Sequence, residues 1–164
     1  MHKQYLFEKI IQKFNKLGIR YLLIGRQAVM LYGSPVFSFD YDFWVHPDDK
    51  GKLFEYLEDK LELEPSRSRE EKKPVFSFYS NSSDKIDIFI VRKITNKEGE
   101  TLDIEECLKK SVTISSPDSN YFVRVPAIDD LIKLKKTAKR TKDLEDIEYL
   151  KAIKKIKKAE SPEE

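Results

Sequence analysis

The chain has 164 residues, 40% of them hydrophobic and 37% charged, with a net charge of +2 and one cysteine. That length suits one domain, at most with a small helical appendage, and the lone Cys107 excludes an intrachain disulfide framework and a cysteine-based zinc site. No apolar run approaches the ~18 residues of a membrane span, and the charged, amphipathic start reads as part of the fold rather than as a secretory leader, so a reducing cytoplasm is the expected location.

From Lys3 to Leu17 apolar residues recur at three and four, which predicts an amphipathic helix stopped by Gly18. Arg20 to Ile24 reads as a short buried strand, and Gly25 turns the chain into a short helix ending near Gly33. After the Ser34-Pro35 turn comes SFDYDFWV, residues 38 to 45. Its aromatic and β-branched residues predict a strand, yet Asp40 and Asp42 fall on one face of it. At about 7 Å and an effective dielectric of ~20, two such anions repel by roughly 2 to 3 kcal/mol, so something positive is expected between them.

His46-Pro47 breaks that strand, and a second amphipathic helix is expected from Lys50 to Leu61. Residues 65 to 74, PSRSREEKKP, read as a mobile loop. Val75 to Tyr79 and Lys85 to Val91 predict a β-hairpin around Asn81-Asp84. In the second of these strands both faces are apolar apart from Asp87, a carboxylate that would be costly without a partner. A short helix is expected over Asp103 to Lys110, with Cys107 a small core residue, and a strand pair near 111 to 115 and 121 to 125.

The last third reads as helical. Pro126 opens one helix with Asp129 and Asp130 in its first turn, and Thr141 is the expected N-cap of another running to about Lys157. Residues 133 to 158 hold 11 Lys or Arg against four acids, a local +7 that leaves −5 for the rest. Such a helix is either a solvated face or a track for phosphates.

If the Asp87 strand lies beside the Asp40 strand, three carboxylates converge. Hard oxygen ligands of that kind suit two Mg2+ ions and a nucleoside triphosphate. Strand, Gly25, then helix is a geometry that offers backbone N–H groups to an anion. Lys135 falls on the inward face of its helix with Ile128, Leu131 and Ile132. It either snorkels to solvent or places its ammonium beside phosphates or acids. His2 and His46 lack metal-ligand spacing and read as surface residues. Phe76, Phe78 and Tyr79 read as core, with base stacking the rarer use, and Ser38 as a residue that either caps the strand entry or bonds the loop.

The stretch LLIGRQAVMLYGSPVFSFDYDFWV resembles the signature of the nucleotidyltransferase superfamily that includes DNA polymerase β and the minimal nucleotidyltransferases. Ile24, Gly25, Asp40, Tyr41, Asp42 and Phe43 match it, and Asp87 stands where the third acid is expected. LIKLKKTAKRTKDLEDIEYL resembles the C-terminal helices of small members related to the AbiEii toxins, with Lys135, Arg140, Lys142, Asp143 and Asp146 on the pattern. The resemblance covers about Leu17 to Leu150. Arg26 departs from it, since Gly or Ser is usual there, and Val36 stands where small relatives often have Arg. Arg26 either binds the phosphates or ion-pairs the aspartates and disables the site.

The resemblance implies a mixed α/β (α+β) fold, a short twisted mixed sheet flanked by helices with a C-terminal helical pair. A core would span 1–125, the C-terminal helices 126–158 and a disordered tail 159–164. It implies Mg2+-dependent (two ions, or Mn2+) transfer of a nucleoside monophosphate from an NTP to an acceptor hydroxyl. Asp40, Asp42 and Asp87 would be catalytic and metal-binding, and Gly25, Arg26 and Lys135 would hold the nucleotide. RNA such as a tRNA end is a candidate acceptor, along the basic terminal helix. The other class is a disabled module of the same fold that binds a protein partner, as in a toxin–antitoxin pair.

Overall fold

The structure is a computed structural model that describes residues 3–35, 38–115, 121–138 and 140–160, with side chains from Leu6 onward. The three-and-four spacing near the N-terminus becomes α1 (Lys3–Leu17), which buries Leu6, Phe7, Ile10, Ile11 and Phe14. It ends at Gly18, whose φ of +70° lets the chain reverse without a Cβ penalty. β1 (Tyr21–Ile24) is buried along its whole length, and α2 (Gly25–Leu31) follows without an intervening loop.

β2 (Tyr41–Val45) starts later than its composition suggests: Phe39 and Asp40 precede the ladder, and Phe39 is 64% exposed. His46 then leads into a 3-10 turn (Pro47–Asp49), α3 (Lys50–Phe54) and a wider π-type turn (Glu55–Lys60), where one α-helix was expected. The N–H of Leu61 reaches the carbonyl of Tyr56, five residues back, so the last turn is π rather than α.

β3 (Glu64–Pro65), β4 (Val75–Tyr79) and β5 (Lys85–Ile90) complete a five-stranded sheet of order β1-β2-β5-β4-β3. β2 and β5 run parallel while the other pairs are antiparallel. The polar segment at 65–74 is more tied down than a mobile loop would be. Its Ser66 N–H bonds the Ser77 carbonyl at 2.7 Å, and Arg69 pairs with Glu58 and Asp59 while its guanidinium lies over the Phe54 ring. The hairpin of β6 (Lys93–Thr95) and β7 (Thr101–Asp103) has no counterpart among the sequence expectations. α4 (Ile104–Lys110), capped by Asp103, and the pair β8 (Val112–Ser115) and β9 (Phe122–Val125) lie where expected.

The two faces of the sheet have separate cores. Tyr21, Leu23, Phe43, Val45, Phe76, Phe78, Ile86 and Ile88 point to α1, α2, α3 and β9 in the larger one. Leu22, Ile24 and Trp44 point the other way, toward Leu102, Ile104, Cys107 and Leu134. α5 (Ile128–Lys135) contacts both, and α6 (Thr141–Glu160) packs on it through Ile147 and Leu150. The carboxylate strand residues share the smaller core's face. Because β6–β7 and α4 cover only part of that face, a cleft is left above Asp42 and Asp87.

His46 is a correction. It is fully buried, not on the surface: Nδ1 accepts the Asp48 N–H at 3.1 Å and Nε2 lies 3.0 Å from Glu105 Oε1 on α4. The ring closes the 3-10 turn and bonds a helix distant in sequence, for which no local pattern exists. Phe76 and Phe78 are core, as expected, whereas Tyr79 is 39% exposed. α6 begins at Thr141 itself. Arg140 takes the cap position, and its N–H is accepted by Asp143 at 3.0 Å, the reach-back half of a capping box. The helix runs on to Glu160. His2, Val36 and residues 161–164 of the expected tail lie outside the described residues.

Candidate active site

Register brings the acids together. β2 and β5 pair in parallel with Asp42 directly opposite Asp87, and Ile24 at the end of β1 pairs with Asp42 on its other side. Asp40 lies two residues before Asp42, just outside the strand, with its N–H bonded to Ser38 Oγ at 3.0 Å. All three carboxylates line one cleft of about 420 Å³.

Gly25 follows Ile24 with φ +70°, and a Cβ built there would lie 2.5 Å from Asp42 Oδ2. Two constraints therefore select glycine: the left-handed backbone and the close approach of a carboxylate. The chain can bring β1's end this near to Asp42 only if nothing projects from residue 25.

Electrostatically the three acids are unequal. Burial, then the charges of Asp87 and Asp40, push the Asp42 carboxyl up to about 6. Among the described residues no cation is ion-paired with it. Asp87 is better compensated, with its Oδ1 accepting the Ser77 hydroxyl at 2.5 Å and its Oδ2 3.4 Å from Lys85 Nζ.

The opposite wall comes from α5 and α6. Lys135 is buried, and its ammonium lies 2.9 Å from both Asp143 and Asp146, so it neither snorkels to solvent nor sits unpaired. Burial would raise the Asp143 carboxyl, but Arg140 and Lys135 outweigh it and bring it down to about 2. Arg26 turns to this network: its Nε is 3.2 Å from Asp146 Oδ1. The described ion pair of Arg26 is thus with α6 and not with Asp40 or Asp42. Asn96 on the β6–β7 turn bonds the Lys133 carbonyl at 3.1 Å and so ties the hairpin to the helix that carries Lys135.

All six residues singled out from sequence, Gly25, Arg26, Asp40, Asp42, Asp87 and Lys135, line this cleft. Lys85 and Ser77 were not singled out, and Arg140, Asp143 and Asp146 were placed only by resemblance. Lys85 was accessible in principle, since it stands two residues before Asp87 and so shares its face.

Among the described residues no three His, Cys, Asp or Glu side chains are gathered tightly enough to cage a metal by themselves. Mg2+ does not need such a cage, because it binds through one or two carboxylates, waters and substrate phosphates. Carboxylate oxygens around an under-compensated Asp42 fit that chemistry.

No family model matches the chain, and no curated protein matches it. Solved structures do. Lincosamide antibiotic adenylyltransferase LnuA, lincomycin-bound, superposes with a TM-score of 0.67 at 17% identity, over 93% of this chain and 98% of that one. A candidate nucleotidyltransferase from Thermotoga maritima gives 0.54 at 13% identity over 97% and 96%. An antigenic nucleotidyltransferase-like protein from Paracoccidioides brasiliensis gives 0.54 at 13% over 90% and 74%. With the mixed five-stranded sheet and its flanking helices, these likenesses show that the chain has the nucleotidyltransferase fold.

Proposed function

We propose that the protein transfers a nucleoside monophosphate from an NTP to an acceptor hydroxyl. The observation that carries this reading is Asp42 opposite Asp87 on adjacent parallel strands, with Gly25 against Asp42 and no bonded cation on the latter among the described residues. Asp40, Asp42 and Asp87 would hold Mg2+ or Mn2+. At that place a divalent cation supplies Lewis acidity and neutralises charge on the reacting phosphoryl group.

The chain's own residues do the rest. The Gly25 backbone, Arg26 and Lys135 orient the triphosphate. Two of Lys135's three protons point at Asp143 and Asp146, which leaves the third to turn to a phosphate oxygen. The acceptor oxygen forms its bond to the α-phosphorus as the bond from that phosphorus to the bridging oxygen breaks, and the electron pair leaves with pyrophosphate. Asp87 takes the acceptor's proton, with Ser77 holding the carboxylate in orientation. With Gly25 following β1 and Asp87 on β5, this reading has the in-line acceptor approach over β5 and β4.

LnuA, a lincosamide antibiotic adenylyltransferase with lincomycin bound, supports a small molecule as acceptor. For RNA the support is the lysine-rich end of α6, but Lys157 lies roughly 24 Å along the axis from Thr141 at the cleft. A disabled binding module with a protein partner, in the manner of an AbiEii-related toxin pair, is the second reading, and it is weakened by Arg26 pairing with Asp146 rather than with the acids.

Calorimetric titration of MgATP and MgCTP into wild type and Asp42→Asn tests the proposal. A Mg2+-dependent heat in wild type that disappears in the variant is expected, and the absence of any such heat for either nucleotide leaves the binding module.

A further inference from the structure

Both oxygens of Asp87 are engaged in this structure. Oδ1 accepts from Ser77, its cross-strand partner on β4, and Oδ2 faces the Lys85 ammonium from two residues back on the same strand face. Asp42, its neighbour across the β2–β5 ladder, carries no such cation among the described residues. Lys85 lines the cleft with half of its side chain exposed, so its ammonium reaches Asp87 from the open side.

We propose that Lys85 is a built-in counter-ion that competes with a divalent cation for Asp87. The inference rests on the reading above, that the three acids hold such a cation. The ammonium occupies the place beside Oδ2 where a divalent cation would neutralise the carboxylate. Metal binding displaces it, and the flexible four-carbon stem swings the charge toward solvent. Two features make the exchange workable. A pair at 3.4 Å whose lysine is half exposed is weak and gives way to a doubly charged ion. Ser77 stays on Oδ1, so Asp87 keeps its orientation while its other oxygen changes partner. Lys85 therefore lowers the affinity for metal alone and makes Asp87 the last of the acids to be ligated.

The test is Mn2+ binding to the full chain without nucleotide, followed by the EPR signal of free Mn2+ at pH 7.5 and low salt. Lys85→Met is expected to bind Mn2+ about fivefold more tightly than wild type, and Lys85→Arg, which keeps the competing charge, no more tightly. Lys9→Met removes a cationic charge from an exposed position on α1, away from the cleft, and is expected to change affinity by no more than about twofold. The Lys85→Met gain is expected to vanish in an Asp87→Asn background. Equal affinity in wild type and Lys85→Met, or a gain that persists without Asp87, overturns the inference while leaving the metal reading intact. If no protein in the series binds Mn2+, even in the presence of ATP, both fall together.

Discussion

Asp42 is held where its charge is unwelcome, and that has a measurable sign. Its carboxyl stands at about 6 against an ordinary 3.8, so the folded protein binds this proton more tightly than the unfolded chain does. The group's contribution to stability is therefore fully present below about pH 4 and is lost as pH rises through about 6. Without metal, Asp42→Asn should be more stable than wild type at pH 7.5, by up to about 3 kcal/mol, with the gap closing near pH 4. Urea melts at the two pH values measure this, and equal stability at pH 7.5 would show that Asp42 is better neutralised than its surroundings indicate. Gly25→Ala acts on the same contact from the other side. It forces a Cβ against Asp42 Oδ2 in a left-handed backbone, so the variant should fold, about 1 to 2 kcal/mol less stable, and lose Mg2+-dependent nucleotide heat. Retention of full heat would mean that the carboxylate has room to move.

α5 and α6 are joined by charge as much as by apolar packing. Lys135 sits between Asp143 and Asp146, and Arg140 and Arg26 flank the pair. Removing the central cation strands two buried carboxylates, so Lys135→Met should cost about 3 to 5 kcal/mol in urea unfolding and raise hydrogen exchange in the first turn of α6. Wild-type stability in that variant would show that Arg26 and Arg140 suffice. The seven-, four- and three-residue spacing to Ile128, Leu131 and Ile132 made Lys135 legible as inward-facing, but its partners lie on a different helix and leave no periodic trace. The hairpin of Val75–Tyr79 and Lys85–Ile90 was legible, but not its register, which pairs Tyr79 with Lys85 and so sets Ser77 against Asp87. β3 and β6–β7 were not, since runs of two and three residues carry no alternation to detect. His46 escaped for a related reason: its partner Glu105 lies on α4, and nothing near it in sequence says so.

Across the whole molecule, charges are sorted around one cleft. Asp40, Asp42 and Asp87 form its floor, while Arg26, Lys135, Arg140 and Lys142 line the α2, α5 and α6 side. An acidic floor suits cations and a basic wall suits phosphates, which is the pairing that a metal-bound triphosphate presents. The two cores keep these walls in place. The larger core holds the strands in register, and the smaller one seats Leu134 of α5 against Ile24 and Trp44, which fixes Lys135 near Asp42. The most direct measurement is anomalous diffraction at the manganese edge from crystals soaked with Mn2+ and a non-hydrolysable ATP analogue. Manganese bonded to Asp42 and Asp87, with the triphosphate running from it toward Gly25 and Lys135, is the predicted result. Manganese bound elsewhere, or a nucleotide lying away from these carboxylates, would contradict it.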